Sequence, residues 1–214
     1  MKTYLFDFDG TLVDSMPSFV FGVLKVLDDH QIKYGDEIVK IITPLGLLGT
    51  AKYFIKDFNL DYKEEELVEV FKANMREDYF YKIPAKSNVE KTLKTLKERG
   101  DSLNVLTASP HETLDACLKR LGLYDLFDNV WSCEDFSTTK TDPEIYKQAA
   151  KKLNKKTNEV LFLDDNIFAN QTAKKASMKS CGVYDQSSSD MVDQMKQACD
   201  FYIFDFIELL DIEF

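Results

Sequence analysis

Four stretches of this chain share one pattern, an apolar run that breaks abruptly into polar residues. Thr3-Tyr4-Leu5-Phe6 stops at Asp7-Phe8-Asp9-Gly10, and Leu103-Asn104-Val105-Leu106 stops at Thr107-Ala108-Ser109-Pro110. Val160-Leu161-Phe162-Leu163 runs into Asp164-Asp165-Asn166, and Phe201-Tyr202-Ile203-Phe204 into Asp205. Short apolar runs of this kind predict buried strands ending in turns. Helical stripes separate them. Val89, Leu93 and Leu96 share a face that ends at Gly100; Leu114, Cys117, Leu118 and Leu121 share another that ends at Gly122. Glycine suits a helix C-terminus. Pro143 is placed to open a third helix carrying Ile145, Ala149 and Leu153. Strands that are apolar throughout and alternate with helices predict an α/β fold, a parallel sheet covered on both faces.

Residues 16–83 break the alternation. They carry helical stripes (Phe19, Val23, Leu24 and Leu27, then Leu67, Val70, Phe71 and Asn74), with Pro44-Leu45-Gly46 and Gly49 as punctuation, and no strand pattern. The expected organisation is therefore an α/β core of residues 1–15 plus 84–214, interrupted by an all-helical insertion over 16–83. Phe19, Phe21, Phe54 and Phe58 read as packing residues of the insertion, with one or two of them open to lining a substrate pocket, and Trp131 as core. Ser187-Ser188-Ser189 reads as a loop before a helix.

Composition narrows the partners. The 214 residues carry a net charge of −10, which repels phosphate-rich polymers and makes nucleic acid an unexpected partner. No apolar stretch approaches the ~20 residues of a membrane span. Charge enters by Asp7, leaving no room for the apolar run of a secretory signal, and the four cysteines (Cys117, Cys133, Cys181, Cys199) are scattered. Free thiols in a reducing cytoplasm are expected. With two histidines, His30 and His111, a zinc site is not expected. His111 reads as a first-turn helix residue without a catalytic task.

In open α/β sheets the ligand crevice lies beyond the carboxyl ends of the strands. Asp7, Thr107 and Asp165 are therefore expected to converge from distant parts of the chain. With Lys140 they carry a resemblance: Asp7-Phe8-Asp9-Gly10-Thr11, Thr107, Lys140 before Thr141-Asp142-Pro143, and Asp164-Asp165 occur in the order of the four motifs of the haloacid dehalogenase superfamily. The resemblance spans essentially the whole chain and implies a Rossmann-like core with a helical cap.

It also implies a reaction, the hydrolysis of a small phosphorylated metabolite with Mg2+. Asp7 would be the nucleophile and Asp9 the general acid and base. Thr107, the backbone of Ala108, and Lys140 would bind the phosphate. The metal would be held by Asp7, the Asp9 carbonyl, Asp165 and, directly or through water, Asp164. Asp9 itself separates this pattern from that of the dehalogenases, which lack the second aspartate. Thr141 replaces a usual proline, Asp164 a usual glycine, and Ala169 a frequent aspartate. By the same resemblance the insertion sets substrate choice, and a monomer or weak homodimer is expected. A phosphomutase shares core, cap and adjacent acids, but Phe19 stands where such enzymes carry a cap-hinge histidine. A phosphonate hydrolase would need a cap lysine, for which Lys25, Lys33, Lys40, Lys52 and Lys56 are available. A phosphate-binding protein without turnover is the non-enzymatic alternative, disfavoured by the retained motif residues.

Overall fold

The computed structural model describes every residue of the chain except Pro44, one of the expected punctuation residues, which lies outside the described residues. The chain divides into two compact units, Met1–Asp14 with Pro84–Phe214, and Ser15–Ile83.

The first unit is built on a six-stranded, wholly parallel sheet. Its strands are β1 (Thr3–Phe6), β2 (Ser102–Thr107), β3 (Asn129–Ser132), β4 (Val160–Asp164), β5 (Lys179–Val183) and β6 (Phe201–Ile203), in the order β3-β2-β1-β4-β5-β6. This is the doubly wound parallel α/β arrangement expected from the sequence. Successive residues of β1 face opposite ways, as the pleat demands. Leu5 packs into a cluster with Leu106, Ile145, Tyr146, Ala149 and Phe162, while Phe6 meets Phe127 and Phe206 at ring-centroid distances of 6.2 Å each. Both faces are thus covered by apolar side chains.

The second unit is all helical: α1 (Met16–Asp29), α2 (Ile38–Ile42), α3 (Gly46–Asp57) and α4 (Glu64–Tyr81). Val23, Leu27, Phe54, Leu67 and Phe71 form the centre of its own core. Ser15 belongs to this unit, one residue earlier than the expected boundary, because its carbonyl accepts the first helical bond of α1, from the Phe19 N–H at 3.0 Å. Phe21 does not pack as expected; it is 59% exposed, on the side of α1 opposite the buried Val23 and Val26. No helix among the described residues is long and apolar enough to cross a membrane.

Helices α5 (Val89–Glu98), α6 (His111–Arg120), α7 (Pro143–Lys152), α8 (Ile167–Lys175) and α9 (Val192–Ala198) complete the α/β unit. Strands β3 and β5 were not marked by an apolar run in the sequence. Trp131, expected in the core, is half-buried instead, because β3 is an edge strand. Ser187–Ser189 fall in a 3-10 turn capped by the Asp185 carboxylate, which accepts from the Ser187 N–H at 2.9 Å. All four cysteines are free, and burial pushes the Cys117 and Cys199 thiols up to about 11.

Candidate active site

Sheet register brings the motif residues together. Phe6 pairs with Leu163 in the neighbouring strand, so the next residues, Asp7 and Asp164, leave the sheet side by side. The Asp7 N–H donates to the Leu163 carbonyl at 2.8 Å and fixes that geometry. On the other side of β1, Phe6 pairs with Val105, and Thr107 ends β2 two residues further on. Chain order reverses around β1, which puts these strand ends at the topological switch point where ligands bind in such sheets.

One lysine binds two of the acids. Lys140 Nζ donates to Asp7 Oδ1 at 2.6 Å and to Asp164 Oδ2 at 2.7 Å. Burial works against its charge, but Asp164 and Asp7 outweigh that cost and hold the ammonium well above the ordinary lysine range. Asp164 is fully buried, and its other oxygen accepts from the Asn166 N–H at 2.7 Å. Tyr146 steadies the approach of the lysine, its hydroxyl donating to the Lys140 carbonyl at 3.2 Å.

Asp165 faces the same point from the next residue along. Burial and the neighbouring charges of Asp164 and Asp7 push its carboxyl well above the usual carboxylate range. Thr11 holds it twice: the Thr11 hydroxyl donates to Asp165 Oδ1 at 3.1 Å and accepts from the Asp165 N–H at 3.1 Å. Gly10 sits beneath, with φ +68°, and a Cβ there would collide with the Asp165 carboxylate. Both the left-handed backbone and the close approach require glycine at this position.

Oxygens of Asp7, Asp164 and Asp165 lie within 4.8 Å of one another. An all-carboxylate donor set suits a hard divalent cation. Burial contributes most to the upward shift at Asp165 and the crowded charges of Asp164 and Asp7 add to it, and a cation would relieve that crowding as a proton does. Of the four acids expected to hold metal, the structure groups these three; the Asp9 carboxylate instead accepts a short hydrogen bond from the Ser109 hydroxyl. The carbonyl-mediated role expected of Asp9 leaves its carboxylate available for that bond. Thr107 is buried, and its Oγ1 accepts from the Ser109 N–H at 3.2 Å. Ala108 is exposed between them.

Two contributors carried no assigned role in the sequence: Ser109 and Thr11. Thr11 stands inside the first motif and Ser109 lies two residues beyond Thr107 at the end of β2, signals available in the sequence. His111 opens α6 as expected, its ring bonded to Asp115 at 3.1 Å and Asp135 at 2.9 Å.

The chain is similar to known proteins in sequence and fold. Residues 4–183 match the model of the family described as Haloacid dehalogenase-like hydrolase. The chain is 29% identical over 182 residues to Pyrophosphatase PpaX of Bacillus velezensis, covering 84% of this chain and 81% of that protein. It is 26% identical over 182 residues to Phosphoglycolate phosphatase of Aquifex aeolicus, with 84% and 83% covered. Among solved structures, a predicted phosphoglycolate phosphatase from Haemophilus somnus shares the fold at a TM-score of 0.80 and 24% identity, covering 99% of this chain and 97% of that one. The chain belongs to the haloacid dehalogenase-like hydrolase family.

Proposed function

We propose that the protein is a magnesium-dependent phosphatase that hydrolyses a small phosphomonoester through an aspartyl-phosphate on Asp7. The observation that carries the reading is the shared lysine: Lys140 pins Asp7 and Asp164 inside a cluster of three carboxylates at the switch point of the sheet. A carboxylate held by one oxygen keeps a fixed line of approach for in-line attack on phosphorus, and positioning of this kind accounts for much of catalysis of phosphoryl transfer. Relatives named for pyrophosphate and for phosphoglycolate support a compact phosphorylated substrate.

The roles follow from the chemistry of each residue. Asp7 attacks phosphorus and the alcohol leaves, which divides one difficult displacement into two. Asp9, held by the Ser109 hydroxyl, gives a proton to the leaving oxygen and later takes one from the water that releases phosphate. Lys140 and the Thr107 hydroxyl, with the backbone N–H of Ala108, offset charge on the phosphoryl oxygens. Asp7, Asp165 and the Asp9 carbonyl would hold magnesium, with Asp164 set back by its bonds to Lys140 and Asn166. When bound, the ion supplies Lewis-acid polarisation of the phosphate.

The test is hydrolysis of p-nitrophenyl phosphate with and without Mg2+ by the wild-type chain and by Asp7→Asn. Turnover that needs the metal and drops by at least about 10⁴-fold in the variant is expected. Undiminished turnover in Asp7→Asn would sink the assignment.

A further inference from the structure

A second enclosed lysine lies on the same unit as the acids, outside the motif residues. Lys86 Nζ donates to the Gly10 carbonyl at 2.6 Å, to the Tyr184 carbonyl at 2.6 Å and to Asp185 Oδ2 at 2.9 Å. An ammonium has three protons, so its donors are fully used. The side chains of Lys86 and Asp185 are 18% and 4% exposed. Asp185 is itself fixed, its Oδ1 accepting from the N–H and the hydroxyl of Ser187 at 2.9 and 2.5 Å. The backbone of the same segment is tied to the turn after β1 as well: the Lys86 N–H donates to the Leu12 carbonyl at 3.0 Å, and Val13 forms an antiparallel bridge with Ala85.

The identity of the first acceptor gives the contact its meaning. Gly10 follows Asp9 directly, and its bare Cα is the surface on which the Asp165 carboxylate rests. A shift of the Gly10 peptide therefore moves Asp9 on one side and removes the floor under Asp165 on the other. Thr11, which carries both bonds to Asp165, is the next residue. A buried ion pair adds little stability over an apolar pair of similar shape, and its better-attested use is to specify geometry.

We propose that Lys86 is a positioning residue for the reaction, its ammonium clamping the Gly10 carbonyl to the end of β5 and so fixing the turn from Asp7 to Thr11 against Asp165. The inference deepens the phosphatase reading and rests on it. Lys86 does not touch the reacting atoms; it acts through Gly10.

The test compares Lys86→Met, the double variant Lys86→Met/Asp185→Leu and the control Lys97→Met in the full chain. The double variant removes both partners, so that no buried charge is left alone if the single variant fails to fold. Lys97 pairs with Asp128 on the surface, far along the strands from the acids. Two readouts are needed: kcat and KM for p-nitrophenyl phosphate with Mg2+, and hydrogen exchange of the segment 8–13 in the metal-free protein. Loosening of the turn is expected to lower kcat about 10–100-fold. KM should stay within about twofold, since binding of the ester is not what Lys86 controls. Exchange over 8–13 should quicken in both Lys86 variants, and Lys97→Met should change neither readout. A folded double variant with wild-type kcat, or with unchanged exchange over 8–13, overturns the inference. A wild-type chain without phosphatase activity overturns the functional reading instead, and the exchange readout then decides alone whether Lys86 fixes the turn.

Discussion

The two units of this chain treat buried polarity in opposite ways. Among the described residues of the helical unit the buried polar ones are Ser15 and Thr50, both neutral, and the core is apolar: Val23, Leu27, Phe54, Leu67 and Phe71. At the carboxyl ends of β1 and β4 the α/β unit encloses Asp7, Thr11, Asp164 and most of Lys140. Packing alone accounts for order in the first region. In the second, burial opposes the charge of Asp164, Asp165 and Lys140, and that cost is borne by the apolar strands that carry them. The contrast separates residues kept for stability from residues kept for chemistry.

The largest effect on folding should therefore come from the helical core. Phe71 is fully buried and meets Phe54 edge-on at 5.7 Å. Phe71→Ala is expected to cost about 3–5 kcal/mol in urea-induced unfolding. Asp7→Asn should cost less in the same measurement, because Lys140 retains Asp164 and one of three crowded charges is gone. Equal losses would erase the distinction between the regions.

Metal should reverse the unfavourable crowding. Mg2+ at 100 times its dissociation constant should stabilise the wild-type chain by about 2.7 kcal/mol. The shift in melting temperature should disappear in Asp165→Asn. A wild-type melt indifferent to Mg2+ would mean that the three carboxylates do not share a cation.

The smallest effect belongs to His111, a charged contact at the surface. Burial lowers its affinity for a proton, but hydrogen bonds and charge from Asp115 and Asp135 outweigh this and raise its pKa above the ordinary 6.5. A folded-state pKa above the unfolded one adds stability that is fully present below about 6.5 and is lost as pH rises through the folded value. The side chain is 38% exposed, so the contribution should stay under about 1 kcal/mol. Wild type and His111→Gln should differ in urea midpoint at pH 5.5 and converge at pH 9. A gap that persists at pH 9 would mean that packing, not charge, is at work.

How much of this was legible in the sequence depends on whether the signal is local. β1, β2 and β4 announce themselves as apolar runs that end at Asp7, Thr107 and Asp164. β3 (Asn-Val-Trp-Ser) and β5 (Lys-Ser-Cys-Gly-Val) mix polar and small residues, so periodicity alone does not reveal them. Asp7, Thr107 and Asp164 sit where strands end and Lys140 in the loop before α7, and parallel register then places Asp7 beside Asp164. Lys86 was invisible for a different reason: its acceptors lie 76, 98 and 99 residues away, and nothing near it in the sequence marks the contact. Exposure of Phe21 is legible in the sequence, since it lies about 200° around the helix from Val23 and off the stripe of Phe19, Val23, Leu24 and Leu27; residue type alone reads it as packing.

The direct test of the account is to find the phosphoryl group. Wild-type protein quenched with acid during turnover of p-nitrophenyl phosphate and Mg2+, then reduced with borohydride, converts an acyl phosphate to an alcohol that mass spectrometry can locate. The account predicts modification at Asp7 that requires both substrate and metal. Modification at a different carboxylate, or none during sustained turnover, would contradict it.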